Sequence, residues 1–136
     1  MSHALILQKI IIEALQADQV LTDQLGSGRV FDAVPAGEMP PYLALVSIIS
    51  RDWSSASEPG EEHTLSFEAW SRHHGRRDVD EIATGIRRVL AGLTWTASEV
   101  RLINLNFVSC ATSRDPASQH FRMQLEFRAV TEPAQL

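Results

Sequence analysis

The chain of 136 residues contains one cysteine, one lysine and one tyrosine. The lone Cys110 excludes an intramolecular disulfide and any thiolate metal cluster. The lone lysine, Lys9, and an acidic balance of 12 basic against 17 acidic residues make a poor match for a domain that wraps DNA phosphates. No apolar run is long enough to span a bilayer: Ala4 to Leu15 is the best candidate, and Gln8, Lys9 and Glu13 interrupt it. That stretch also lacks a cationic leader and a cleavage site, so the expectation is a cytoplasmic protein without membrane attachment. Glycine-rich phosphate loops, nucleophile elbows and paired-histidine helix motifs are missing as well, and no cofactor is expected.

What is present reads as one globular domain, residues 1–136. Hydrophobic residues make up 44% and charged ones 21%, with a net charge of −5 and a pI near 5.5. A chain of this mass exposes roughly 7,000 Å² of the ~22,000 Å² it would show when extended, enough burial for a core without covalent staples. Eleven of the 12 bases are arginine. Arginine suits planar, paired contacts, but a GC-rich coding bias produces the same excess and is the favoured explanation.

Hydrophobic spacing sets out the elements. Leu5, Ile6, Leu7, Ile10, Ile11, Ile12, Ala14 and Leu15 predict a helix with more than one apolar stripe, buried either inside a monomer or between its own sheet and a neighbouring subunit. A short helical stretch, Thr22 to Leu25, ends at Gly26, and Arg29-Val30-Phe31 forms a brief strand. After a loop rich in Pro and Gly, Asp32 to Pro41, comes a strand from Tyr42 to Ser50. Arg51 to Gly60 is polar, and Glu61 to Arg72 alternates cleanly: Leu65, Phe67 and Ala69 face one way, Thr64, Ser66, Glu68 and Trp70 the other. Val79, Ile82, Ala83, Ile86, Val89, Leu90 and Leu93 predict the second main helix, opened by an Asp78/Glu81 capping box and closed at Gly92. Two long strands follow, Val100 to Ala111 and Gln119 to Thr131, joined by Thr112 to Ser118. The fold class expected is α+β: an antiparallel sheet of about four strands with two main helices packed on one face.

Three constellations are candidates for function. His63, His73 and His74 could suggest a metal, but adjacent side chains diverge on a strand and two arginines stand nearby, so a solvated loop is favoured. Cys110 and His120 would face each other if the last hairpin turned at Asp115, the arrangement a thiol enzyme needs. Nothing near them supplies an oxyanion hole, and chance pairing is the better account. The polar sheet face, with Glu68 and Trp70 on one strand and Arg122 and Arg128 on another, reads either as the wet side of a half-buried sheet or as a subunit interface. Trp70 among charges favours the interface. Trp53, alone in a polar loop, invites the same inference; its alternative is a side chain folded back onto the domain.

Three ordered segments carry a family resemblance: Arg29-Val30-Phe31-Asp32-Ala33-Val34-Pro35 to Pro41-Tyr42; Arg51-Asp52-Trp53 to Trp70-Ser71 around Gly60-Glu61-Glu62-His63-Thr64; and Arg114-Asp115-Pro116 to Phe127-Arg128-Ala129-Val130. In that order the chain resembles the tail terminator or tail completion proteins of long-tailed phages and gene transfer agents, with the final hairpin and the Glu61-Glu62-His63-Thr64 strand closest to the gene-transfer-agent branch. The resemblance implies a homo-oligomeric, six-membered ring on the head-proximal end of the tail. The ring would stop tube polymerisation, meet the tail tube protein on one side and a head connector or stopper protein on the other, and let DNA pass through. It carries over no catalytic residues. The residues expected to meet partners are Arg51, Asp52, Trp53, Glu58, Glu68, Trp70, Arg72, Arg114, Asp115, Arg122 and Arg128, with Arg51 to Gly60 as a contacting arm. The alternatives are a head-side connector or stopper component and the thiol enzyme using Cys110 and His120.

Overall fold

A computed structural model describes residues 2–72, 75–95 and 99–134. The elements follow the order read from the periodicities: α1 His3–Ala17, α2 Gln19–Leu25, β1 Val30–Phe31, β2 Tyr42–Asp52, β3 Glu61–Trp70, α3 Arg76–Ala91, β4 Val100–Arg114 and β5 Phe121–Pro133. His73 and His74 lie outside the described residues.

Caps explain where the helices begin. The Ser2 hydroxyl accepts a hydrogen bond from the Leu5 amide at 3.1 Å and opens α1. Asp18 ends α1 and starts α2, its carboxylate accepting from the Leu21 amide at 3.0 Å. The same carboxylate takes two hydrogen bonds from the Arg88 guanidinium at 2.7 and 3.0 Å, which pins the α1–α2 corner to α3. That pairing, more than the cap, holds the Asp18 carboxyl below its usual range. The expected Asp78/Glu81 capping box is not how α3 starts. The helix begins three residues earlier behind Gly75, which has a positive φ of 92° and no side-chain cap, and Asp78 falls in its first turn. Gly92 ends α3 as expected.

The sheet has five strands in the order β1-β2-β3-β5-β4 and is mixed, not antiparallel with four strands. β1 runs parallel to β2, pairing Val30 with Leu43 and Phe31 with Ala44; the other three pairings are antiparallel. The Asp32 to Pro41 segment is too long for a hairpin, and it carries the chain back past the two-residue β1 so that β2 restarts in the same direction. α2 is the third helix.

One sheet face packs on the helices. Leu65 and Phe67 of β3, with Met123, Leu125, Phe127 and Ala129 of β5, form the core with Leu7, Ile11 and Leu15 of α1 and Val79, Ile82, Ile86 and Leu90 of α3. Phe67, Phe127 and Phe107 stand edge to face across β3, β5 and β4, centroids 5.6 Å apart in both pairs. α1 buries one stripe and leaves Leu5 exposed, so the helix is not wholly enclosed by its own subunit. The α2–α3 crossing is close: a Cβ on Gly85 would stand 2.7 Å from the buried Leu21 Cδ2.

Candidate functional site

The opposite sheet face has the composition read from the alternation. Thr64, Ser66, Glu68 and Trp70 of β3 are half-buried among their neighbours, while Leu65, Phe67 and Ala69 are buried beneath the helices. The β3–β5 register sets Glu68 opposite Gln124, Ser66 opposite Glu126, Thr64 opposite Arg128 and Trp70 opposite Arg122. β2 contributes Tyr42 opposite Trp70 and Arg51 opposite Glu62.

Two clusters form there. At one end the Tyr42 and Trp70 rings stack at 6.3 Å and 26°, and the Arg122 guanidinium lies 5.5 Å from the Trp70 ring. The Trp70 indole N–H donates to Glu68 at 3.2 Å, and Arg122 reaches the same carboxylate at 3.9 Å. Burial, then the carboxylates of Glu68 and Glu38, pushes the Tyr42 phenol above its usual range. At the other end Arg128 Nε donates to Glu62 at 2.5 Å, while Arg51 approaches the other Glu62 oxygen at 3.7 Å. The Arg128 guanidinium also lies 5.0 Å from the Trp53 ring. Trp53 leans on the sheet through that contact, yet 55% of it stays open to solvent.

These clusters unite Glu68, Trp70 and Arg122, and Trp53, Arg51 and Arg128. Arg51 and Asp52 belong to β2, so the expected arm shrinks to the eight residues 53–60. The Trp53 amide donates to the Gly60 carbonyl at 2.9 Å, and the Ser54 hydroxyl donates to Asp52 at 2.6 Å; Glu58 lies in the same turn, where its amide bonds the Ser55 hydroxyl at 3.0 Å. Arg72 stands apart, its Nε donating to the Pro40 carbonyl at 3.0 Å. Arg114 and Asp115 are at the β4–β5 tip. There Asp115 accepts from the Ser118 amide at 2.9 Å and hydroxyl at 2.6 Å, bonds that hold its carboxyl below the usual range. Glu62 and Tyr42 were not among the expected contact residues. Glu62 continues the Thr64, Ser66, Glu68 alternation, so extending that phase by one step would have found it.

The Cys110–His120 pair does not form. β4 and β5 close between Arg114 and Phe121, which puts the turn near Ala117 and not at Asp115, and Cys110 falls opposite Leu125 while His120 precedes the strand. Cys110 is exposed. A serine–histidine contact that the sequence did not suggest lies on the helix side: His63 is wholly buried, with Nδ1 2.7 Å from the Ser50 hydroxyl and Nε2 2.8 Å from the Thr131 hydroxyl. Its second partner is a neutral hydroxyl, so no carboxylate orients the ring as a nucleophile's base requires. Among the described residues no group of three His, Cys, Asp or Glu could hold a metal, and no helix is long and apolar enough to cross a membrane.

A sheet face that gathers paired charges around partly exposed tryptophans is a surface suited to protein contact, the kind a structural subunit presents. The chain belongs to the tail completion protein gp17 family, whose model matches residues 9–132. It is thus a phage-type structural tail protein. Among solved structures it is similar to a chain of the virion of a native gene transfer agent (GTA) particle, with a TM-score of 0.84 and 28% identity over 96% of this chain and 99% of that one. No curated protein sequence matches it significantly.

Proposed function

We propose that the chain is a tail terminator of a phage or gene-transfer-agent particle. Copies assemble into a ring, six in number, on the head-proximal end of the finished tail tube. The ring stops further polymerisation, offers the head connector its docking surface and lets DNA pass. Assembly takes place in the cytoplasm of the producing bacterium, and the protein then remains in the particle. The observation that carries this reading is the end-to-end likeness to a chain of a gene-transfer-agent virion in a protein of the tail completion family.

Charge supports it. Six copies at −5 each carry about −30 in total, and where those acids face the opening they repel DNA phosphates, so the duplex slides without being held. The sheet face supports it too, since alternating charges around aromatic anchors select a partner and a register.

Deleting the gene in a producing strain tests the proposal by particle morphology. Overlong tails, or tails without heads, are expected. DNA-filled heads that leak for want of a stopper would move the protein to the head side of the joint, and particles of ordinary form would overturn both placements.

A further inference from the structure

A closed ring of identical subunits needs two different patches on each copy, one fitting the other on its neighbour. The strand order sets two unlike edges at opposite ends of the sheet: β4 at one, β1 with the Asp32 to Pro41 loop at the other.

β4 is a 15-residue edge strand. A long straight edge invites another strand to add, and β4 is interrupted against that by two bulges, between Leu102 and Asn104 and between Phe107 and Ser109. The extra residue at each bulge is an aliphatic at the surface, Ile103 at 44% and Val108 at 50% exposure. The edge is therefore shaped for side-chain contact more than for backbone pairing. Across the sheet, the Asp32 to Pro41 loop exposes Val34 at 39% and Met39 at 64%. It is held in shape from within: the Arg29 guanidinium bonds the Glu38 carboxylate and the carbonyls of Met39 and Pro41. A loop fixed in advance loses little entropy on docking.

The charges match as well. Val100–Arg114 contains Arg101 and Arg114 and no acid, whereas the loop contains Asp32 and Glu38 and no base. Arg101 is already paired with Glu132 and Glu38 with Arg29, so the charges that orient the approach are Arg114 and Asp32, which hydrogen-bond to neutral groups, while the aliphatics make the contact.

We propose that the β4 edge of one subunit docks on the Asp32 to Pro41 loop of the next copy, with Ile103 and Val108 packing against Val34 and Met39. This rests on the ring reading and identifies its subunit contact.

Cys110 supplies the test, being an exposed thiol on β4. Met39→Cys places a second thiol on the loop. Within one subunit the two edges are four strand spacings apart, about 19 Å, so a bis-maleimide of half that reach joins only different copies. Cross-linking the full-length chain, free and on tail-bearing particles, is expected to give a ladder of covalent oligomers ending at the ring's copy number. The ladder should vanish when Cys110→Ser is added. Val108→Asp and Ile103→Asp should each lower the ring fraction about tenfold, the scale of losing an interface anchor, while melting within about 2 °C of the parent. Rings that form but do not cross-link, and that tolerate both aspartates, would overturn the proposed contact and leave the ring standing. Absence of rings both in solution and on tails would overturn the two together.

Discussion

His63 is the residue whose chemistry most outruns its place in the sequence. It alternates in phase with Leu65 and Phe67 and is as buried as they are, yet both ring nitrogens meet hydroxyls, from Ser50 on β2 and Thr131 on β5. Thr131 also meets His3 Nδ1 at 3.0 Å, and His3 lies 3.2 Å from Glu61, so the start of α1 is tied to the sheet through this chain. Burial holds the His63 pKa below its ordinary value; Glu61 and Glu62 oppose that and His3 reinforces it. An unfolded histidine takes up a proton near pH 6.5, and the folded one does so only at lower pH. The unfolded state therefore binds more protons in that window, and stability falls as the pH drops through it. Thermal denaturation between about pH 7 and pH 5 should show a melting temperature that declines for the parent and declines less for His63→Gln. Equal slopes would mean that His63 does not titrate on unfolding.

Among the elements, α3 was the most legible and the β4–β5 hairpin the least. The α3 stripe of Val79, Ile82, Ile86 and Leu90 is buried as its 3.6-residue spacing requires. Its glycine does work that spacing cannot reveal: Gly85 lets α2 approach until Leu21 fills the place of a side chain. Gly85→Val should overpack this crossing and cost about 1–3 kcal/mol, read as a melting temperature lower by several degrees; an unchanged value would show that Leu21 can move aside. The hairpin eluded the sequence because its register hangs on the turn. Moving the turn from Asp115 to near Ala117 slides every cross-strand pair, and the apparent Cys110–His120 couple dissolves. The two β4 bulges were equally hidden, since an extra residue in a strand leaves no mark on local composition.

At the scale of the whole molecule, one sheet face is spent on the core and the other carries two aromatic–charge clusters. Trp53 is the exposed member of the second, resting on Arg128 and not extended on a free arm. If it anchors a neighbouring protein, Trp53→Ala leaves the fold intact and removes about 2 kcal/mol or more of binding, close to a 30-fold loss. Melting temperature and incorporation into particles, measured together, decide this. Normal incorporation would show that Trp53 merely covers Arg128. The single helical stripe buried on α1, with Leu5 left at the surface, extends the area open to partners beyond the sheet.

Periodicity alone determined the element order, the two faces of β3 and β5 and the buried stripe of α3, because each is a local repeat written into consecutive residues. The ordered segments were also enough to indicate the family. Only the tertiary structure decided that β1 runs parallel, that Glu62 joins Arg51 and Arg128, that His63 finds Thr131 68 residues away, and that Cys110 stands alone on an open edge. Those outcomes depend on strand register and on side chains meeting across long stretches of chain, and neither leaves a local signature.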